Sequence, residues 1–317
     1  MEGDPTNFHT PSPADREVGT QTRTPVGTPA TGTSAGHDEL RVSVSTTFHP
    51  HARISNFRPD LILLSTDKVF FHVHRQPLLG ASTNEFNGLL HAVPPPRPDA
   101  AIPVVSTPEP AEVANILLHA IYGIPCTHFG SSLETTARAL YAFATYGLPV
   151  HPYATPPQPL YALVLSYAPT HPIDAYALAA AHDLEPLATA ISSHLLAFPL
   201  SSLTDELATA IGPRYLLRLF FLHQGRMDAL KRVLLQPPRS HEPSWTCGAE
   251  ELGKLTRAWA LAATQLAWDA RPSLSTHAIQ LALRPLESQI NCEVCLQLLR
   301  DRVQEVINEW SAVKRTI

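Results

Sequence analysis

The sequence predicts an α+β fold in which a small sheet is followed by many helices. An apolar run at residues 60–65 and a β-branched and aromatic run at residues 69–74 are separated by Thr66, Asp67 and Lys68, which favours a hairpin. From residue 108 onward, apolar residues recur at helical spacing until about Trp310. Strands followed by a run of helices are typical of the α+β class.

The segment after the hairpin has the signals of a helix start. Ser82 is followed three residues later by Glu85, which predicts a capping box, and Phe86, Leu89 and Leu90 fall on one face of the expected helix. A Pro-rich loop follows at residues 91–100, and residues 102–105 predict a short strand.

The rest of the chain is predicted to be helical, with glycine and proline at the breaks. Gly123 and Gly147 end the first two amphipathic stretches. The predicted helical stretches are 108–122, 131–146, 159–167, 173–196 with a break near 183–186, 203–211, 215–236, 250–268 and 276–310.

Composition restricts the classes of function. The 317 residues carry a net charge of -5, which gives no general attraction to nucleic acid or to an anionic membrane. No apolar run is long enough to cross a bilayer, and the N-terminus lacks the pattern of a signal peptide. The 4 cysteines are too few for a disulfide framework. We therefore expect an intracellular protein of the cytoplasm or nucleus.

The polar residues of the hairpin and their spacing resemble those of the BTB/POZ domain. The resemblance begins with Asp60 at the head of the first strand and continues through the run Phe-Phe-His-Val-His-Arg at residues 70–75. Among BTB proteins, the residues at these positions most resemble those of a large group from mushroom-forming fungi. The positions that complete the resemblance are Leu78, Leu79, Ser82, Phe86 and the pair Leu89 and Leu90.

The resemblance also sets the expected domain boundaries. Residues 1–53, rich in Thr, Pro and Gly, are expected to be a disordered tail, because such a segment buries too little apolar area to fold. A BTB/POZ-like domain is expected at residues 54–170. A helical extension at residues 171–236 and a helical C-terminal region at residues 237–317 are expected to follow.

The function that the resemblance implies is protein–protein interaction without catalysis. In this interpretation the chain self-associates as a homodimer through the BTB face or presents a partner. Asp60, His74 and Arg75 are the interface candidates, with the Asp60 and Arg75 charges offsetting one another in a groove. One alternative is a substrate adaptor for a cullin-type ubiquitin ligase. Phosphate-binding loops, nucleophile elbows and kinase motifs are absent from the sequence, so no enzyme is expected.

A second alternative is a zinc-binding regulatory protein. Cys292 and Cys295 have the spacing of metal ligands, and His241 and Cys247 lie upstream in a Pro-broken loop, so these four residues are the candidate zinc ligands. The competing interpretation places Cys292 and Cys295 on one buried face of a helix as ordinary apolar residues, with no cofactor. His72 and His74 also resemble a metal pair, but the helical remainder supplies no further strand-end ligands, so packed histidines are expected.

Overall fold

The computed structural model describes residues 26–27, 42–93 and 101–317. The described chain is a mixed α+β structure that is mostly helical, as predicted. The strands are β1 (Val26–Gly27), β2 (Ser43–Ser45), β3 (Leu61–Leu64), β4 (Val69–Val73) and β5 (Val104–Ser106). Their order in the sheet is β1-β2-β4-β3-β5.

The predicted hairpin forms the centre of the sheet. Strands β3 and β4 pair antiparallel, and β5 adds to β3 in parallel. Alternate residues of both hairpin strands are buried, so one face of the sheet packs on the helices.

The helices follow in the predicted order. They are α1 (Arg75–Ala81), α2 (Ala111–Tyr122), α3 (Leu133–Thr145), α4 (Val150–Tyr153), α5 (Pro159–Leu165), α6 (Pro172–Ala181), α7 (Glu185–Ser192), α8 (Asp205–Leu234), α9 (Ala249–Trp268), α10 (Thr276–Leu283) and α11 (Glu293–Ala312). Gly212, with φ 73°, and Pro213 kink α8 at the predicted break. None of the helices in the described ranges is long and apolar enough to span a membrane.

The prediction of a helix that starts at Ser82 is wrong. Glu85, Phe86 and Asn87 have positive φ angles of 53°, 57° and 57°, and the segment forms turns instead. The Ser82 hydroxyl accepts from the Phe86 N–H at 2.7 Å. The turn buries the Phe86 ring against the Tyr146 ring, with centroids 4.2 Å apart, and this distant packing overrides the local helix signal.

The prediction of a disordered tail at residues 1–53 is wrong for residues 42–53. Residues 1–25 and 28–41 lie outside the described residues, as do residues 94–100 of the loop predicted at 91–100. Residues 42–53 are described, and they contain β2 and the fully buried Phe48. The carbonyl of Phe48 accepts from the N–H of His72 at 2.8 Å. Backbone pairing and one buried ring therefore order a stretch whose composition predicted disorder.

Buried apolar side chains form two separate cores. The first core contains buried residues from Phe48 to Leu222 together with the C-terminal Ile317, and it unites the sheet, α1–α7 and the first part of α8. The second core runs from Leu230 to Trp310 and unites the end of α8 with α9, α10 and α11. The boundary predicted at residue 170 falls inside the first core, because α6 and α7 pack in the same cluster as β3.

Candidate metal centre

The loop between α8 and α9 brings one cysteine inward. The Ser244 N–H donates to the Cys247 carbonyl at 2.8 Å, and the Cys247 N–H donates back to the Ser244 carbonyl at 3.1 Å. This tight turn buries Cys247 in the second core and leaves Trp245 at the exposed tip. His241 precedes the turn in the same loop and is half-buried.

The start of α11 supplies the other two cysteines. Cys292 is the N-cap residue, with extended φ and ψ of -88° and 121°, and Cys295 lies in the first turn. Cys295 is buried and Cys292 is half-buried. Cys292 is thus the N-cap residue of α11, and only Cys295 lies within the helix that the competing interpretation assigned to both thiols.

The four predicted ligands converge. Their ligand atoms, three sulfurs and a histidine nitrogen, all lie within 4.8 Å of one another. The Cys247 and Cys295 Sγ atoms are 3.7 Å apart, and the Cys292 Sγ atom is 3.4 Å from His241 Nε2.

Two of the six separations between ligand atoms match the edges of a tetrahedral zinc site. Zn–S bonds of about 2.3 Å and Zn–N bonds of about 2.0 Å place two sulfurs about 3.8 Å apart and a sulfur and a nitrogen about 3.5 Å apart. Both distances in the protein agree with these values. A donor set of three cysteine sulfurs and one imidazole also binds zinc in preference to magnesium or calcium.

A backbone contact orients the histidine. The Nδ1–H of His241 donates to the carbonyl of Glu242 at 2.6 Å. This tautomer leaves the lone pair of Nε2 directed toward the sulfurs, which is the usual outer-shell arrangement of a metal-binding histidine. The position of the Glu242 carbonyl has no signal in the sequence, so this contact was not predicted.

The start of α11 lowers the pKa of one thiol, whereas burial raises the pKa values of the other two. The backbone N–H of Cys295 lowers the pKa of Cys292 to about 7, and the neighbouring His241 adds to the effect. Burial raises the pKa of Cys295 to about 12 and also raises the pKa of Cys247. A divalent cation would replace the protons of the two buried thiols.

The predicted interface residues make contacts within the chain. The Asp60 carboxylate accepts from the backbone N–H of Arg75 at 2.7 Å, at the start of α1. The Arg75 guanidinium donates to the carbonyls of Val93 and Leu90. The predicted arrangement of two offsetting charges is therefore not observed, because each group bonds the backbone instead. A role of these residues at an interface stays a prediction.

His74 is buried and bonded on both ring nitrogens. Its Nε2 atom lies 2.9 Å from the Phe57 carbonyl, and its Nδ1 atom lies 3.0 Å from the Tyr122 hydroxyl. The expected role of a packed histidine is confirmed for His74.

No protein-family model, no curated protein and no solved structure matches this chain. The function is therefore argued from the metal-ligand geometry and from the fold.

Proposed function

We propose that the protein binds zinc at a structural centre formed by His241, Cys247, Cys292 and Cys295. The observation that supports this proposal most strongly is the agreement of the S···S and S···N distances with the edges of a zinc tetrahedron. Four protein ligands leave no open position for water or substrate, so the centre is structural rather than catalytic.

The centre joins two connections of the helical C-terminal region. His241 and Cys247 belong to the loop between α8 and α9, and Cys292 and Cys295 belong to the start of α11. A metal at this point would hold the loop between α8 and α9 against the start of α11, beside a second core that is formed by only a few helices. Small cores of this kind gain most from a metal, because burial alone leaves them marginal.

Metal analysis of the purified full-length protein tests this proposal. We expect an equimolar amount of zinc in the wild type and a large loss in Cys295→Ser, which removes one ligand. Cys126→Ser is the matched control, because Cys126 is also a buried free cysteine but lies in the first core. Wild-type protein without zinc after reconstitution, or equal zinc in Cys295→Ser, would contradict the proposal.

We propose as a second function that residues 54–170 act as a protein–protein interaction module of the BTB/POZ type. The resemblance implies the order strand, strand, two helices, strand, helix, helix. Support comes from the same order between β3 and α5, apart from the second helix after the hairpin, which is replaced by turns. Exposed apolar residues add to this support: Phe57, 75% exposed, lines one cleft with Ile102, which is 40% exposed and lies just before the edge strand β5. Exposed apolar residues beside an unpaired strand edge favour association.

Light scattering tests self-association through this surface. We expect a homodimer that dissociates in Phe57→Ser, because the side chain is exposed and its loss leaves the core intact. Leu261→Ser is the control, since Leu261 is equally exposed but lies on α9. A chain that stays monomeric at all concentrations would exclude self-association. Recovery of a cullin with that monomer would favour the ligase-adaptor alternative.

A further inference from the structure

The three thiols of the metal centre differ in their access to solvent. Cys247 and Cys295 are buried, with 0% and 2% of their surface exposed, while Cys292 is half-buried at the outer side. A dissolved oxidant therefore meets Cys292 first. The Sγ atoms of the two buried cysteines are 3.7 Å apart. A disulfide bond of about 2.0 Å requires these sulfurs to approach by less than about 2 Å.

We propose that the centre is a peroxide-responsive switch that exchanges zinc for a disulfide between Cys247 and Cys295. This inference rests on the proposed zinc site and concerns its regulation. Zinc and the disulfide use the same two sulfurs, so the two states exclude each other.

The oxidation needs one peroxide and gives a balanced product. The Cys292 thiolate attacks the O–O bond of hydrogen peroxide, which forms sulfenic acid and releases hydroxide. The Cys295 thiolate then attacks the Cys292 sulfur and displaces a second hydroxide, which forms the first disulfide. The Cys247 thiolate attacks the Cys295 sulfur, and Cys292 leaves as a thiolate.

The net change is a two-electron oxidation of two thiolates, with reduction of the peroxide to two hydroxide ions. Zinc loses two of its four ligands in this process and dissociates as Zn²⁺. A dithiol reverses the disulfide and restores the ligands.

The geometry gives the exchange a defined structural result. The zinc ion in one state and the disulfide in the other both connect the loop that bears Cys247 to the start of α11, so this connection persists in both states. His241 and Cys292 form the outer half of the centre and are released only in the oxidised state. Oxidation therefore frees His241 and Cys292 without separating the loop from the start of α11.

Peroxide titration of the zinc-loaded full-length protein tests the switch. A chromogenic zinc indicator follows metal release, and mass spectrometry of alkylated digests maps the disulfide. Trypsin separates Cys247 from the other two cysteines, and cleavage after Glu293 separates Cys292 from Cys295. We expect equimolar peroxide to release the zinc, to link Cys247 to Cys295 and to leave Cys292 open to alkylation. Dithiothreitol followed by zinc should restore the starting state.

Cys292→His tests the route of entry. This variant keeps four ligands as a Cys2His2 set but removes the outer thiol, so we expect zinc to stay bound and its release by peroxide to slow by about tenfold or more, because thiolate access controls reaction with peroxide. Cys126→Ser should respond as the wild type does.

Three outcomes would overturn the switch: zinc retained in excess peroxide, zinc released with sulfinic acids and no disulfide, or a final disulfide that includes Cys292. Zinc content is measured before peroxide is added. Protein without zinc at that stage would contradict the proposed zinc site, whereas zinc-bound protein that fails to respond contradicts only the switch.

Discussion

The two cores of this protein differ in size and in the elements that form them. The first core packs a sheet against seven helices and the first part of α8, and it also buries polar side chains such as Asn115, His119 and Thr136. The second core has three helices and the end of α8. A smaller core buries a smaller share of its surface, so it needs additional polar or metal contacts. The larger core is therefore expected to gain most of its stability from burial, whereas the smaller core gains more from the proposed metal.

Polar links in the second region concentrate at the end of α8. The Arg302 side chain is buried and donates to the carbonyls of Val233 at 2.7 Å and Gln236 at 3.1 Å. The indole N–H of Trp259 donates to the carbonyl of Leu234 at 3.0 Å. These donors satisfy carbonyls that the end of a helix leaves without partners. The metal centre lies in the loop that continues from this helix end.

The aromatic residues provide a separate optical probe for each region. All 4 tryptophans, at positions 245, 259, 268 and 310, follow Leu230, and all 8 tyrosines precede it. Tryptophan fluorescence therefore follows the second core, and the near-ultraviolet signal of tyrosine follows the first core.

Removal of the metal should produce the largest difference between the two regions. We expect a strong chelator to lower the denaturation midpoint of the tryptophan signal greatly and to leave the tyrosine midpoint nearly unchanged, because all four ligands lie in the second region. Urea titrations with and without chelator provide the measurement. An equal shift of both signals would show that the two cores form one cooperative unit, joined by α8 and by Ile317, whose N–H donates to the Ser192 hydroxyl at 3.0 Å.

Local patterns predicted the elements of both regions more accurately than their contacts. Hydrophobic periodicity and glycine stops predicted the hairpin and most helices. The spacing of Cys292 and Cys295, with His241 and Cys247 upstream, predicted four residues whose side chains converge. The turn at Phe86 and the burial of Phe48 were missed because each depends on partners far away in the sequence. The helix start at Cys292 was missed because residues 276–310 have one continuous amphipathic pattern, whereas Pro285 and the centre itself divide it.

Acid should affect the first region through His119. This side chain is fully buried, its Nδ1–H donates to the Asn115 carbonyl at 2.8 Å, and burial lowers its pKa to about 4. The unfolded chain has an ordinary histidine pKa of about 6.5, so it binds a proton that the native state does not bind as the pH falls below that value. The free energy of unfolding should therefore fall by up to about 1.4 kcal/mol for each pH unit between about 6.5 and about 4.

The slope of stability against pH, followed by the tyrosine signal, measures this effect. His119→Gln should flatten the slope, while His194→Gln, which removes an exposed imidazole of the same region, should not change it. The same slope in the wild type and in His119→Gln would assign the acid sensitivity to other groups. His72, His182 and His223, whose pKa values are also lowered by burial, would then be the next residues to replace.

Two matched serine caps give the smallest and most selective test. The Ser132 hydroxyl accepts from the Thr135 N–H at 3.0 Å at the start of α3, and the Ser275 hydroxyl accepts from the Ala278 N–H at 3.1 Å at the start of α10. Replacement of either serine by alanine should cost about 1 kcal/mol, the usual value of an N-cap. We expect Ser132→Ala to shift only the tyrosine transition and Ser275→Ala to shift only the tryptophan transition. If each variant shifts both transitions, the two cores unfold together. They are coupled by α8, whose Leu219 and Leu230 belong to different cores, and by the C-terminal Ile317, which packs in the first core.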